Sequence, residues 1–263
     1  MKVVVIGSNG MLGHAVVDEL QLRGHEVFRT TRNGSNGSIK LDATRPLHDV
    51  ELPRADFVIN CAGCINQRSF DLNEMYAVNA MFPHVLSSWC HSRGTKMIHV
   101  TTDCVFSGRK GSPYDEHDKP DVDDSYGISK SIGETNCMVL RTSLVGLELG
   151  SSFSLLGWVM SKHGQRVQGY TNHLWNGITN VQFGRVCDRI IGDGMHENVK
   201  RHVFSPEILS KHDMLVKFNE RFDLKLDIEP IDVVPAVNRT LKSCYDLNDR
   251  LDVPSFDEQL KRL

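Results

Sequence analysis

The feature that most restricts the fold is Gly7-Ser8-Asn9-Gly10-Met11-Leu12-Gly13, placed directly behind the apolar run from Val3 to Ile6. A β-branched run without polar alternation is how a strand buried on both faces of a parallel sheet reads. Met11, Leu12, Ala15, Val16 and Leu20 then fall on one stripe of a helix that Gly24 ends. Three glycines alone mark only a turn, but between a buried strand and a helix they predict a nucleotide-binding turn. Gly7 permits the tight bend, and Gly10 lets the backbone around Asn9, Met11 and Leu12 approach a pyrophosphate at the helix N-terminus. Gly13 allows the helix to pack closely on the strand.

The alternation continues with strands expected from Glu26 to Thr30, Phe57 to Asn60, Lys96 to Thr101 and Cys137 to Arg141. Helices are expected from Leu72 to His91 and from Ser125. Such a rhythm predicts an α/β fold, a Rossmann-type doubly wound parallel sheet with the cofactor at the carboxyl ends of the strands. Past Gly150 the rhythm changes to a helical stretch from Ser154 to His163 and irregular sequence from Tyr170 to Asn180. We therefore expect a cofactor-binding domain over residues 1–148 and a smaller C-terminal substrate-binding lobe over 149–263, with some elements returning to the first domain. At 263 residues the chain has the length for that arrangement.

Thirty basic against 33 acidic residues leave a net charge of −3, which gives no concentrated basic face for nucleic acid or an anionic membrane. The expected partner is a small molecule, with a homodimer as the expected assembly. Seven scattered cysteines read as reduced thiols, and no apolar run spans a bilayer or resembles a secretory leader, so the expected compartment is the cytoplasm. Cys61-x-x-Cys64 lacks a second thiol pair for zinc, and no metal is expected. The segment from Asp115 to Asp124, six acids against one lysine, reads as a solvated loop.

The second strand bears on the nucleotide. An acid that would hold a ribose 2′-OH is missing there, and Arg29-Thr30-Thr31-Arg32 supplies cations and hydroxyls suited to a 2′-phosphate, favouring NADP(H). Asp42 is placed either to meet the adenine amino group or to cap a following helix. Tyr126 and Lys130, at i and i+4, share one helix face, where an ammonium would draw the phenol toward its ionised form. Thr101-Thr102-Asp103 ends an upstream strand and offers a hydroxyl to a substrate carbonyl.

The glycine pattern, Thr101-Thr102-Asp103-Cys104-Val105-Phe106-Ser107-Gly108, Glu116, Tyr126-Gly127-Ile128-Ser129-Lys130 and Leu140-Arg141-Thr142-Ser143 together resemble the short-chain dehydrogenase/reductase superfamily. Within it they resemble the dTDP-4-dehydrorhamnose reductase family. The resemblance implies NADPH-dependent reduction of the 4-keto group of a nucleotide-linked deoxysugar, in the biosynthesis of deoxysugar and polysaccharide precursors. It implies Tyr126 as the proton donor to the C4 oxygen, Lys130 as the residue that lowers the tyrosine's pKa and binds the nicotinamide ribose, and Thr102 as the carbonyl's hydrogen-bond donor. It also implies that Cys61-Ala62-Gly63 lines the cofactor, that Asn79 stands on the following helix, and that Asp103 and Arg239 face the substrate; Trp175 is placed either to stack on the substrate's base or sugar or to fill a core. Cys104 departs from the family's tyrosine, and the loop from Tyr170 to Thr179 lacks the family's proline.

Dehydration in related enzymes needs an adjacent Asp-Glu pair, whereas Asp103 is followed by Cys104. Two alternatives remain at this stage. One is a nucleotide-sugar epimerase; the other is a non-catalytic NADP-binding subunit resembling the regulatory subunit of methionine adenosyltransferase.

Overall fold

The computed structural model of the chain describes residues 1–65, 71–150 and 153–263. The opening apolar run is β1 (Lys2–Ile6), and the glycine turn leads into α1 (Met11–Leu22). There follow β2 (Glu26–Thr31), β3 (Ile39–Lys40), β4 (Phe57–Asn60), α2 (Leu72–Tyr76), α3 (Phe82–Ser92), β5 (Lys96–Thr102), α4 (Ser125–Ile132) and β6 (Met138–Thr142). The helix expected from Leu72 to His91 is one helical stretch containing a π-helical turn at Ala77–Met81. Buried Asn79 lies in that turn, and its side chain serves the loop after β4.

The rest of the chain supplies β7 (Leu144–Val145), α5 (Leu155–Met160), β8 (Arg166–Tyr170), β9 (His173–Trp175), β10 (Ile178–Thr179) and α6 (Asn180–Gly192). It continues with β11 (Lys200–His202), β12 (Leu209–Ser210), α7 (Lys211–Phe222), β13 (Asp227–Ile231), β14 (Val237–Asn238), α8 (Leu247–Leu251) and α9 (Phe256–Leu260). The stretch from Tyr170 to Asn180 is therefore not irregular. Strands of two or three residues are too short to print an alternating pattern.

Among the described residues, seven strands form one parallel sheet in the order β11-β6-β5-β4-β1-β2-β3. The chain leaves β1 toward β2 and β3, then crosses back to β4, so the switch point lies at the carboxyl ends of β1 and β4. This is the expected Rossmann-type sheet. Apolar residues of β1, β4, β5, β6 and α1 pack with Phe183, Val186 and Ile190 of α6 on one face. Phe82, Leu86 and Cys90 of α3 cover the other. β11 extends this same sheet, so both α6 and β11 return to it from beyond residue 148.

A separate apolar cluster gathers Leu156, Val159, Val167, Trp175, Met214, Leu215, Phe218 and Phe256 from the later elements. The acidic segment is not wholly a solvated loop. Glu116 is 6% exposed and accepts the backbone N–H groups of His202 and Cys244 at 3.0 and 2.9 Å and the Ser243 hydroxyl at 2.6 Å. All seven cysteines are thiols. Among the described residues no helix is long and apolar enough to cross a membrane.

Candidate active site

The turn after β1 is built for an anion. Gly7 has φ +75°, and a Cβ on Gly13 would stand 2.1 Å from the Gly7 carbonyl oxygen, so only glycine lets α1 start this close to the strand. Gly10 is the N-cap and has no side chain to accept the first helical N–H groups, which leaves them to a ligand at the positive end of the helix. Asn9 is exposed in the turn, Met11 is half-buried at its edge, and Leu12 turns into the core. A Cβ on Gly7 would touch Ala62 at 3.1 Å, so the turn and the Cys61-Ala62-Gly63 loop form one cradle. A dinucleotide's pyrophosphate fits these groups.

The end of β2 is more heavily committed than its sequence suggests. Arg29 is exposed and gives Nη2 to the Asn36 carbonyl at 2.9 Å, while Arg32 pairs with Glu74 at 2.6 Å. The Thr31 hydroxyl binds Ser38 Oγ at 2.6 Å and receives the Ser35 N–H, knitting its own loop together. Asp42 caps no helix. Its carboxylate accepts the N–H and hydroxyl of Thr44 in an Asx turn, which holds it below its ordinary pKa despite partial burial, with Arg32 and Arg45 adding to the effect.

β5 carries Thr101 and Thr102 to the carboxyl edge of the sheet. Thr101 is buried with its hydroxyl unpartnered. Thr102 caps the following 3-10 turn, Asp103–Val105, accepting the Cys104 N–H at 3.1 Å and donating to Asp103 Oδ1 at 3.1 Å. α4 starts on Asp124, which accepts the Gly127 N–H at 2.9 Å. A Cβ on Gly127 would lie 2.3 Å from the Cys104 carbonyl oxygen. Glycine there lets α4 press against the turn, which sets the Tyr126 phenol where Thr102 acts on it. Asn79 secures α4 from the other side. Its Nδ2 donates to Ser129 Oγ at 3.1 Å and to the Cys64 carbonyl at 2.8 Å, while its Oδ1 accepts the Cys64 N–H.

The expected action of Lys130 on Tyr126 is not found in this geometry. Lys130 Nζ points into the sheet and donates to the Val100 carbonyl at 2.8 Å. Burial brings its pKa down to about 8, opposed by the charge of Glu134. Burial also pushes the half-buried Tyr126 phenol well above its ordinary value; Cys104 and Asp103 add to that, while Thr102 opposes it. Cys61 lies near Lys130 as a thiol that burial raises to about 12.

Of the residues expected to face the substrate, Asp103 and Arg239 converge on this site and Trp175 does not. Trp175 is 3% exposed and packs edge to face on Phe256, ring centroids 5.1 Å apart. It is a core residue, because β9 turns that face into the second apolar cluster. Arg239 reaches in from beyond β14, donating Nε to the Phe106 carbonyl at 2.9 Å and Nη1 to Cys104 Sγ at 3.7 Å. Sequence reasoning missed Lys211. It opens α7, and its charge, like that of Arg239, acts on Asp103, while its Nζ donates to Met214 Sδ at 3.9 Å. The Ser210–Asp213 capping box marks that helix start in the sequence, yet nothing local ties position 211 to position 103.

The model of the RmlD substrate binding domain matches residues 1–167, more than half of the chain. Over 185 residues the chain is 33% identical to a probable low-salt glycan biosynthesis reductase, Agl14, of Haloferax volcanii, covering 61% of this chain and 60% of that one. Over 140 residues it is 33% identical to the dTDP-4-dehydrorhamnose reductase of Mycobacterium tuberculosis, covering 51% of this chain and 44% of the relative. The matches thus span 60% or less of these curated relatives. The crystal structure of dTDP-4-dehydrorhamnose reductase from Bacillus anthracis in complex with NADP superposes with TM-score 0.81 at 20% identity, covering 99% of this chain and 97% of that one. At that identity the match establishes the shared Rossmann-type fold. The chain belongs to the RmlD substrate binding domain family.

Proposed function

We propose that this protein is an NADPH-dependent reductase of the 4-keto group of a nucleotide-activated deoxysugar. The observation that carries the reading is the meeting of Thr102 and Tyr126, from β5 and α4, at the sheet edge that also holds the glycine turn, with Lys130 of α4 bound to the Val100 carbonyl of β5. The names of relatives support it, since the chain matches dTDP-4-dehydrorhamnose reductases and a dTDP-4-keto-6-deoxy-D-glucose reductase.

In this reading the glycine turn and the Cys61-Ala62-Gly63 loop hold the cofactor's pyrophosphate and nicotinamide half, and Arg29 and Arg32 favour a 2′-phosphate. Bound NADPH supplies the hydride. Tyr126 delivers the proton to the C4 oxygen, and Thr102 orients the carbonyl. Lys130, beside Cys61, steadies the nicotinamide ribose. A phenol held well above its ordinary pKa stays protonated at neutral pH, which suits a donor in the reductive direction. Arg239 and Lys211 bring positive charge toward the substrate from the later elements.

The test is NADPH oxidation with a 4-keto-6-deoxy nucleotide sugar. Tyr126→Phe should lower kcat by about 10²- to 10⁴-fold, the usual worth of a positioned proton donor, with NADPH affinity unchanged. Full activity in that variant refutes Tyr126 as the donor. Tight NADP(H) binding by the wild type, without turnover of any such sugar, would instead assign a non-catalytic binding role.

A further inference from the structure

The Thr102 hydroxyl has one hydrogen and more than one claimant. Its oxygen accepts the Cys104 N–H at 3.1 Å, and it donates to Asp103 Oδ1 at 3.1 Å. Thr102 also acts on the neighbouring Tyr126 phenol. A hydroxyl donates only once. While its hydrogen rests on an ionised Asp103, Thr102 has none to offer a substrate carbonyl, although the reductase reading requires one there.

Asp103 is 4% exposed, and the groups that face it come from four directions. Cys104 Sγ donates to Oδ1 at 3.7 Å from the same turn, and Ser143 approaches from the end of β6. Arg239 and Lys211 present their charges from the later elements, and Tyr126 faces it from α4. Burial outweighs the two cations and raises the carboxyl above its ordinary value. A protonated carboxyl at the same 3.1 Å becomes a donor toward Thr102.

We propose that Asp103 is a positioning residue that sets the direction of the Thr102 hydroxyl. Ionised, it takes the Thr102 hydrogen. Protonated, it gives its own hydrogen to Thr102 Oγ1, and the Thr102 hydrogen turns toward the cleft. No covalent step is involved, only the sense of one hydrogen bond. The role of the released hydrogen rests on the reductase reading; the switch of direction rests on the geometry of Asp103 and Thr102 alone. Activity then falls as pH rises and the carboxylate reclaims the hydrogen. Because the Lys211 charge favours the ionised form, Lys211→Met extends the active range upward.

Infrared difference spectra of the full chain without substrate test the carboxyl directly. The wild type should show a protonated-carboxyl band that disappears on titration above the usual carboxylate range and is missing from Asp103→Asn. No such band in the wild type, or its persistence in the variant, overturns the proposal. Reduction kinetics test the consequence. The wild-type kcat/KM should decline with the protonated fraction of that same carboxyl. Asp103→Asn, whose amide can donate to Thr102 at every pH, should lose the alkaline limb. A limb that survives in Asp103→Asn, or a fall in kcat with no change in the profile, refutes the positioning role. A wild type that reduces no 4-keto nucleotide sugar counts against the reductase reading, and the infrared result still decides Asp103.

Discussion

Lys130 should destabilise the protein that carries it. It is 6% exposed, its ammonium donates to the Val100 carbonyl, and burial takes its pKa from 10.5 to about 8. At 1.36 kcal/mol for each tenfold change in proton affinity, that fall corresponds to roughly 3 kcal/mol of stability missing at neutral pH. A lysine whose folded value is depressed has its stability above the unfolded value and loses it as pH falls through the folded one. The full cost is therefore present at pH 7, where the ion is buried charged. Lys130→Met keeps the stem and removes the charge. Setting the lost hydrogen bond at about 1 kcal/mol leaves a net gain of about 2 kcal/mol. At about 2–4 °C per kcal/mol for a chain of this size, Tm should rise by roughly 4–8 °C at pH 7. Thermal melts of wild type and variant without ligand, at pH 7 and near pH 10, decide the matter. The gap should close to within about 1 kcal/mol at the alkaline end, where folded wild type has already shed the proton. A variant no more stable than wild type at pH 7, or a gap that ignores pH, would refute the reasoning. The same variant should lose reductase activity, the expected exchange of stability for function.

Removing Arg29 and Arg32 together should weaken NADPH much more than NADH in a binding titration; equal losses would contradict a 2′-phosphate site. Because each arginine already has a partner in Asn36 or Glu74, the loss should be modest, on the order of tenfold, or about 1.4 kcal/mol. Gly127→Ala places a Cβ 2.3 Å from the Cys104 carbonyl, and the forced shift of α4 should cost about 1–3 kcal/mol in a denaturant melt. Activity should fall further than stability, since Tyr126 moves with the helix. The Glu116 carboxyl is held below its ordinary value by Ser243, the Cys244 and His202 N–H groups and the His202 charge, against the opposing effect of its burial. A depressed acid contributes above its unfolded value and loses that contribution as pH falls through the folded one. Glu116→Gln should therefore lower Tm at pH 7, and the deficit should shrink as pH falls through the folded value of the carboxyl; a deficit that ignores pH would remove the carboxylate from the argument.

The parallel sheet was legible because its signals are local. The apolar run at β1, the glycines behind it and the stripe along α1 each fit within a few turns of chain. Thr102 and Tyr126 lie at the end of β5 and the start of α4, so the sheet brings them to one edge. The geometry of Lys130 was not legible. Spacing put it on the face of Tyr126, and only packing could show that its ammonium turns to Val100. For Trp175 the sequence left stacking on a ligand and core packing both open, and β9 sets it against Phe256. Position 239 meets position 104 across 135 residues, and α7 brings Lys211 to Asp103 with no repeating pattern between them. Residue order, through periodicity and glycine chemistry, determined the sheet and where a nucleotide fits. The folded chain alone decided which charges surround Asp103, because hydrogen-bond direction and burial depend on neighbours distant in sequence.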